Sequence, residues 1–138
     1  MIETNTLEFS TKGENDILNI TPQVEAVLDK SRTLEGSVVI FVQSTTSGLA
    51  IIEFEQGLLT DFPKVMERVA PKGVEYEHEA AWHDGNGHSH MRSSLLGTSL
   101  VVPFSGGRLL LGRWQQIVLA EFDVRPRKRT VIVQIISS

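Results

Sequence analysis

Short β-branched segments separated by turn residues fill the C-terminal third of the chain. Apolar or alternating runs of this length predict strands, and Gly-rich or polar breaks between them predict hairpins. We therefore expect successive antiparallel strands joined by short turns. The predicted segments are Ser99–Phe104, a turn at Ser105-Gly106-Gly107, Arg108–Leu111, Gln115–Asp123, a basic turn and Arg129–Ile136.

The first two thirds of the chain contain helix signals. Thr21 followed by a proline is typical of a helix start, because the hydroxyl caps the first turn and proline needs no N–H there. We expect this helix to end by Gly36. A second helix is predicted to begin at Thr60 or Asp61, with Pro63 tolerated in its first turn. Its inward-facing residues are expected to be Phe62, Met66 and Val69.

Strands are predicted around these helices, and a short helix after them. The strands are Ile2–Phe9, Asp16–Ile20, Ser37–Gln43 and Leu49–Phe54, and the short helix finishes over Ser93–Leu96 before Gly97. Helices in the first half followed by successive hairpins predict an α+β fold with two or three helices. The sheet or pair of sheets is expected to be largely antiparallel, and residues 1–138 are expected to form a single domain.

Composition narrows the class of protein. The chain has 138 residues, 41% of them hydrophobic and 22% charged, as in ordinary globular domains. Its longest nearly apolar runs, such as Ser99–Phe104, are far shorter than the roughly 18 to 20 residues that cross a bilayer. The N-terminus lacks the basic and apolar segments of a secretory signal, so we expect a cytoplasmic protein without a membrane partner. A net charge of -4 disfavours nucleic acid as a partner.

One segment departs from this acidic balance. Arg125-Pro126-Arg127-Lys128-Arg129 places four cations in five residues. We interpret it as a solvated turn between two strands, because the proline and the lack of apolar residues suit an exposed turn. The alternative is a site that binds an anion.

The histidines are concentrated in one segment. All four lie within residues 77–90, as His78, His83, His88 and His90. Because the chain has no cysteine, a transition-metal site must use imidazole and carboxylate ligands. His88 and His90 would diverge by about 200° on a helix, so they share a metal only at a loop or helix start. Two glycines before His88 permit a tight turn toward His78 or His83. The alternative is a polar surface loop with unconnected histidines.

Other polar residues are candidates for the same site. Carboxylates available to complete a metal site are Glu53, Glu55, Glu77, Glu79 and Asp84. Glu53 and Glu55 lie two apart in an apolar strand context, so they share a face that either needs a cation or lies in solvent. The run Thr45-Thr46-Ser47-Gly48 suits phosphate binding through hydroxyl and N–H groups, or a simple turn between strands.

Several motifs occur in one consistent order from about Val38 to the C-terminus. They are Gln43-Ser44-Thr45-Thr46-Ser47-Gly48-Leu49, Tyr76-Glu77-His78-Glu79, His90-Met91-Arg92-Ser93-Ser94-Leu95-Leu96-Gly97-Thr98-Ser99-Leu100, Pro103, Gly112-Arg113-Trp114-Gln115-Gln116-Ile117 and Glu121. Together they resemble the YjbQ-like family of small proteins. That family was long described as uncharacterised, and some members are described as secondary thiamine-phosphate synthases.

The resemblance implies an α+β fold with a largely antiparallel β-sandwich, assembled as a homotrimer around a threefold axis. It also implies a reaction that joins a hydroxymethylpyrimidine diphosphate to a thiazole phosphate and releases pyrophosphate. The substrate would then be a phosphorylated small molecule. This chemistry favours a divalent cation. Zinc is expected first, because imidazole is its commonest protein ligand, and magnesium is an option for a diphosphate substrate.

Site residues follow from the resemblance and the histidine cluster together. His78 and His90 keep family positions, and the expected metal ligands are His78, His88 and His90. The expected catalytic residues are Glu53, Arg92, Gln115 and Glu121, with Arg92 holding a phosphate. Phosphate binding is expected at Thr45, Thr46 and Ser47. Trp114 is expected to be structural, and the role of His83 is left open.

The chain departs from the family at two positions. Ser44 and Phe122 stand where relatives typically or often have histidine, so the site is expected to draw a ligand from the 77–90 segment instead. Three functions remain open at this point. They are a transferase resembling thiamine-phosphate synthases, a metal- or ligand-binding protein without this turnover, and a different metal-assisted phosphate-ester reaction.

Overall fold

A computed structural model describes residues 1–138, and its strands and helices confirm the predicted α+β class. The elements are β1 Ile2–Ser10, β2 Ile17–Asn19, α1 Thr21–Ser31, β3 Glu35–Val42, β4 Ser47–Glu53, α2 Gln56–Val69, α3 Glu77–Trp82, α4 Gly87–Leu96, β5 Ser99–Ser105, β6 Arg108–Leu109, β7 Gln115–Glu121 and β8 Lys128–Ile136. There are four helices rather than two or three, because the short α3 was not predicted. None of the helices combines the length and apolar character needed to cross a bilayer.

The eight strands form two antiparallel sheets. Five strands pair in the order β1-β8-β3-β5-β6, and three pair in the order β2-β7-β4. The inward faces of both sheets and one face of α1 enclose the core. Its buried residues are Ile20, Val24, Leu28, Val38, Ile40, Val42, Leu49, Val102, Phe104, Ile117, Leu119, Val131, Val133 and Ile135.

The inward face of β8 changes from apolar to charged along the strand. Val131, Val133 and Ile135 are fully buried, and the inward position before them is Arg129, which is 8% exposed. Strand residues alternate between faces, so this arginine continues the row of core side chains. The core therefore ends, at this edge of the sheet, in a buried charge that requires a partner.

Helix α2 begins earlier than the sequence predicted. It starts at Gln56, and the side chain of Glu55 caps it by accepting hydrogen bonds from Leu58 N at 2.6 Å and Gly57 N at 2.9 Å. The predicted start at Thr60 or Asp61 is wrong, because this carboxylate cap outweighs a glycine and an interior Pro63. Glu55 is therefore a helix cap and not a strand residue. Of the residues expected to face inward, Phe62 and Met66 are half-buried and Val69 is 55% exposed.

The end of the first helix and the start of the last helix also differ from the prediction. Helix α1 ends at Ser31, where Arg32 adopts the left-handed conformation with φ 54°, and Gly36 belongs to β3. Helix α4 extends back to Gly87 and ends at Gly97, as predicted. This longer α4 places His88 and His90 together in its first turns, which determines the directions of their side chains.

Candidate functional site

A cavity of about 490 Å³ lies where three segments meet. The β3–β4 connection forms one wall, α3 and the start of α4 form the second, and the segment from Asp123 to Arg129 forms the third. The lining residues are Gln43, Ser44, Thr45, Thr46, His78, Trp82, Asp84, Asn86, His90, Asp123, Arg127 and Arg129. Four of them are aspartate or arginine, so we call this space the charged cavity.

Two of the four histidines are in contact at this cavity. The rings of His78 on α3 and His90 on α4 have centroids 4.2 Å apart and are tilted by 51°. A close approach of the two helices makes this possible, because a Cβ at Gly87 would lie 2.6 Å from Tyr76 Cβ. The Gly87 N–H also donates to Glu79 Oε1 at 2.5 Å, which fastens the start of α4 to α3.

His90 is available for chemistry. Neither of its ring nitrogens has a hydrogen-bond partner within the protein. Burial lowers the pKa of His90 below its ordinary value, and the neighbouring His78 lowers it further. The carboxylates of Asp84, Asp123 and Glu79 oppose this shift without cancelling it. A neutral imidazole with both nitrogens free is suited to accept a proton or a hydrogen bond.

His78 lies in a cluster of hydrogen-bond acceptors. Its Nε2 is 3.0 Å from Asn86 Oδ1 and 3.3 Å from Asp84 Oδ1, and these two oxygens are 2.7 Å apart. In this orientation the Asn86 amide donates to Asp123 Oδ1 at 3.3 Å. The reversed amide would donate to His78 and Asp84 but would turn its oxygen toward Asp123. In either orientation the oxygen of this buried amide faces a carboxylate oxygen, of Asp84 in the first and of Asp123 in the second, and no hydrogen lies between the two oxygens.

Asp123 connects its own wall of the cavity to the wall formed by the β3–β4 connection. Its Oδ2 accepts from Arg127 Nε at 2.8 Å and from Thr46 Oγ1 at 3.1 Å, and its Oδ1 accepts from Val124 N at 2.8 Å. Burial alone would raise the pKa of Asp123. The hydrogen bonds from Val124, Arg127 and Asn86 outweigh burial and hold that pKa below its ordinary value. The carboxylate is therefore ionised at neutral pH.

Next to Asp123 lies a buried ion pair, in which Glu121 is 0% and Arg129 8% exposed. Arg129 Nε donates to Glu121 Oε1 at 2.8 Å, and Arg129 Nη2 donates to Glu121 Oε2 and to Thr46 Oγ1, the latter at 2.7 Å. Thr11 Oγ1 also donates to Glu121 Oε1 at 2.7 Å. Glu121, predicted to be catalytic, does not line the cavity and instead positions Arg129.

These contacts correct the interpretation of the basic segment as a solvated turn. Arg125 and Lys128 are exposed, but Arg127 and Arg129 line the charged cavity. The two-residue period of β8 explains the difference, because continuing it backward from Val131 places Arg129 and Arg127 on the inward side. That period is the sequence signal that would have identified both arginines.

His88, predicted to be a metal ligand, lies away from this site. It is 2% exposed, and its Nε2 is hydrogen bonded to Glu14, which also pairs with Lys72 Nζ at 3.0 Å. The reason is the helix itself, because residues two apart on α4 point in directions about 200° apart. The structure therefore does not assemble His88 with His78 and His90.

Arg92, predicted to hold a phosphate, is also committed elsewhere. It is 2% exposed, its Nε donates to Ala70 O at 3.0 Å and its Nη2 donates to Glu67 Oε2 at 2.8 Å. These bonds anchor the end of α2 to α4. Arg92 does not line the charged cavity.

Glu53 and Gln115 lie at the far end of the smaller sheet. They are opposite each other in the β4–β7 ladder, whereas Ser47 is opposite Glu121 at the other end. Six residues of strand separate the two pairs, or about 20 Å. Glu53 lines another cavity of about 400 Å³ beside Phe54 and Trp114, and Gln115 Oε1 accepts from Gly112 N at 2.7 Å. These two residues are not brought to the charged cavity.

The predicted phosphate-binding residues separate into three environments. Thr45 is exposed and lines the cavity, with no hydrogen bond to its hydroxyl or its N–H. Thr46 is buried and bridges Arg129 to Asp123. Ser47 is fully buried behind the cavity, and its Oγ has no partner.

The two positions that were expected to depart from the family pattern, Ser44 and Phe122, lie in different environments. Ser44 lines the charged cavity, so a histidine there would contribute to the site. The Phe122 ring is 1% exposed and stacks on Phe62 of α2 at 6.3 Å between centroids, outside the cavity lining. Ser44 therefore belongs to the site, whereas Phe122 belongs to the packing of α2.

The sequence did not indicate Asn86 or Asp123 as site residues, and it indicated Arg127 and Arg129 only through the alternative that the basic segment binds an anion. Asp84 was considered only as one of several carboxylates. Most of these side chains meet through contacts between segments far apart in the chain, such as Thr46 with Asp123. No group of three or more His, Asp and Glu side chains lies close enough to hold a metal ion.

Comparisons with known proteins agree with this fold. The sequence model for YjbQ-like UPF0047 proteins matches residues 5–138. The UPF0047 protein of Archaeoglobus fulgidus is 41% identical over 128 residues, which cover 93% of this chain and 97% of that relative. The UPF0047 protein YugU of Bacillus subtilis is 37% identical over 130 residues, covering 94% and 96%. A crystal structure of a YbjQ-like protein of unknown function from Sulfolobus solfataricus has a TM-score of 0.90 and 27% identity, with complete coverage of both chains. The chain therefore belongs to the YjbQ-like UPF0047 family.

Proposed function

We propose that the protein is an enzyme that acts on a phosphorylated small molecule in the charged cavity, and that this reaction forms thiamine phosphate. The observation that carries the proposal is the arrangement of that cavity. The uncommitted His90, Arg127 and Arg129 all line it. An imidazole and two guanidinium groups in one cavity suit a reaction in which a phosphate-bearing group leaves.

Arg127 is the residue best placed to bind the phosphate. Its Nε and Nη2 both contact Asp123 Oδ2 at 2.8 Å, and its side chain is 34% exposed. A guanidinium has five N–H donors, so donors remain for a ligand after this pairing. Asp123 fixes the plane of the guanidinium, and Thr45 adds a free hydroxyl and N–H on the opposite wall.

The charges of the cavity support the proposal that a cation accompanies the substrate. Arg127 and Arg129 are balanced by Asp123 and Glu121, and Asp84 adds a further negative charge. The cavity alone therefore has no net positive charge to attract a diphosphate. A divalent metal would supply that positive charge and would neutralise the charge that develops on the leaving group.

The acceptor cluster around His78 fits such an ion. His78 Nε2, Asp84 Oδ1 and Asn86 Oδ1 are 2.7 to 3.3 Å from one another. Adjacent ligands of an octahedral ion with bonds of about 2.1 Å lie about 3 Å apart. A metal would also resolve the contacts between acceptors at Asn86. We therefore propose His78, Asp84 and Asn86 as ligands in place of the predicted set with His88.

The proposed reaction balances without an oxidant or reductant. The bond from the methylene carbon of the pyrimidine to the diphosphate oxygen breaks, and pyrophosphate leaves with the electron pair. The ring nitrogen of the thiazole phosphate forms the new bond to that carbon. Arg127 would donate hydrogen bonds to the oxygens on which negative charge accumulates.

A second reaction is favoured by one observation, the free nitrogens and lowered pKa of His90. A neutral imidazole can take a proton from water, so His90 would serve as general base in hydrolysis of a phosphate ester. A panel of phosphate esters distinguishes the two reactions. Release of phosphate without the thiazole substrate would favour hydrolysis.

We also propose a homotrimer, as the family resemblance implies. The outward face of the five-stranded sheet supports it, because that face carries apolar side chains in solvent. Phe41 is 42% exposed and Val101 is 62% exposed, and half-buried Val39 and Ile132 lie beside them. Sedimentation equilibrium should give three times the chain mass of 15.3 kDa, and Val101→Glu should reduce it. A mass of one chain for the native protein would contradict the trimer.

The function is tested with both precursors, on protein stripped of metal and reloaded with magnesium or zinc. Thiamine phosphate should form, and Arg127→Gln should slow its formation by about a hundredfold. Arg125→Gln is the matched control, because Arg125 lies on the same turn but is exposed. Absence of product with both metals would sink the proposed reaction, and equal effects of the two substitutions would remove Arg127 from it.

A further inference from the structure

A second cavity adjoins the charged cavity. Its volume is about 410 Å³, and it shares Ser44, Thr45 and His90 with the first. The rest of its lining comes from α4 and the residue that follows Gly97, namely Met91, Ser93, Ser94 and Thr98. His90 therefore lies at the junction of two spaces.

The two spaces differ in charge. The charged cavity contains Asp84, Asp123, Arg127 and Arg129, whereas the second cavity has no ionisable side chain besides His90. Its lining consists of hydroxyl groups and one thioether. We call it the uncharged cavity. A ligand spanning both would carry its charge at one end only.

The hydroxyl groups of the uncharged cavity are not equally available. Ser93 Oγ donates to Ser47 O at 2.6 Å and Ser94 Oγ donates to Met91 O at 2.9 Å, so both are committed to the backbone. The hydroxyls of Thr45 and Thr98 have no partner within the protein. With His90, they offer three polar groups for a neutral ligand.

Met91 gives this cavity an apolar surface. Its side chain is 45% exposed on α4, next to His90 in the chain. A thioether is polarizable and packs well against the face or edge of an aromatic ring. An apolar surface with a few hydrogen-bonding groups is typical of sites that bind a heteroaromatic ring.

We infer that the uncharged cavity is a subsite for an uncharged, hydrogen-bonding heterocyclic ring. Under the proposed function, on which this assignment rests, the ring is the aminopyrimidine and its diphosphate extends into the charged cavity. His90, between the two, accepts a hydrogen bond from the ring amino group. That bond would favour electron release toward the methylene carbon as its bond to oxygen breaks.

The subsite is tested by calorimetric titration with two probes, free hydroxymethylpyrimidine and inorganic pyrophosphate with magnesium. Thr98→Val removes one uncommitted hydroxyl with little change of shape. It should weaken binding of hydroxymethylpyrimidine about threefold to tenfold and change pyrophosphate binding less than twofold. Arg127→Gln should do the reverse.

Thr60→Val is the matched control, because Thr60 lies on α2 outside both linings and bonds only to Gln56 O. Thermal unfolding of each variant checks that it is folded. The inference is overturned if hydroxymethylpyrimidine does not bind, or if Thr98→Val and Thr45→Val leave its affinity unchanged. If the ring binds as expected but no thiamine phosphate forms, the subsite stands and the proposed reaction fails.

Discussion

His88 and His90 lie two residues apart on α4 and have opposite environments. His88 is 2% exposed and is hydrogen bonded to Glu14, so its ring is part of the packing between α4 and the segment after β1. His90 is half-buried, contacts only His78 among the aromatic rings and faces two cavities. The helix turns by about 100° per residue, which directs the two rings to opposite sides.

The contrast separates structural histidines from those able to act on a ligand. His88 is buried and its nitrogen is bonded to the half-buried carboxylate of Glu14, so releasing that bond would leave a buried polar group without a partner. A ring without partners has no such cost. Clustering of histidines in the sequence therefore identified the segment, but the hydrogen-bond partners of each ring decide its role.

Replacing His90 should have the largest effect. His90→Ala removes the only uncommitted imidazole at the junction of the cavities, so kcat/KM for thiamine-phosphate formation should fall about a hundredfold or more. The free energy of unfolding should change little, because the ring makes no hydrogen bond within the protein. Steady-state kinetics and urea unfolding measure the two quantities.

His83→Asn is the control for this prediction, because His83 is exposed and does not line either cavity. Asparagine also tolerates the left-handed backbone at that position. If both variants lose the same activity, or if His90→Ala unfolds the protein, His90 is structural and the contrast with His88 is lost.

Replacing the partner of His88 should affect stability instead. Glu14→Ala leaves His88 buried without its hydrogen bond, so the free energy of unfolding should fall by about 1 to 3 kcal/mol. Glu8→Ala, at an exposed position on β1, should change it by less than about 0.5 kcal/mol. Turnover at saturating substrate should be nearly unchanged in both. A hundredfold loss of turnover in folded Glu14→Ala would instead place His88 in the reaction.

The sequence predicted the strands well because their pattern is local. The alternation of β8 and the glycine turn after β5 depend on neighbouring residues alone. Helix α2 was predicted to start too late, because Gly57 and Pro63 resemble helix breakers when the cap at Glu55 is overlooked. The contact of His78 with His90 was among the arrangements considered. No observation tests the prediction that both bind a metal, and the proposed ligand set keeps only His78.

The pairing of Glu121 with Arg129 could not be predicted, for a different reason. Glu121 ends β7 in the smaller sheet, and Arg129 lies in β8 of the larger one. Their pairing depends on how the two sheets meet, which no local pattern in the sequence specifies. The period of β8 gives the direction of Arg127 and Arg129, but it does not give their acidic partners, Asp123 and Glu121.

The pH dependence of stability offers a smaller test of the His88 side. Burial would raise the pKa of Glu14, but hydrogen bonds from His88 and Lys72 and their charges outweigh burial and lower it from the ordinary value of 4.5. A lowered pKa means that the carboxylate stabilises the fold above 4.5, and that this contribution is lost as pH falls through the folded pKa.

Glu14→Gln should therefore differ from the native protein by a constant free energy of unfolding at neutral pH. That difference should shrink as the pH falls below 4.5 and through the lowered pKa of Glu14. Urea unfolding across this range measures it. A difference that grows on acidification would have the wrong sign, and would show that the charge of Glu14 does not stabilise the fold.

His83 should give the smallest effect and completes the comparison of the histidines. It ends α3 in the left-handed conformation with φ 56°, and its N–H donates to Glu79 O at 2.8 Å. A residue with a Cβ is strained there, whereas glycine is not, and glycine is the common residue at such helix ends. Relief of this strain stabilises the fold, and the greater entropy that glycine loses on folding opposes it. The net effect of His83→Gly should be to raise the free energy of unfolding by about 0.5 kcal/mol. Urea unfolding measures this change, and metal content and turnover should match the native protein. A loss of bound metal in this variant would instead add His83 to the ligands and return the cluster to a single shared site.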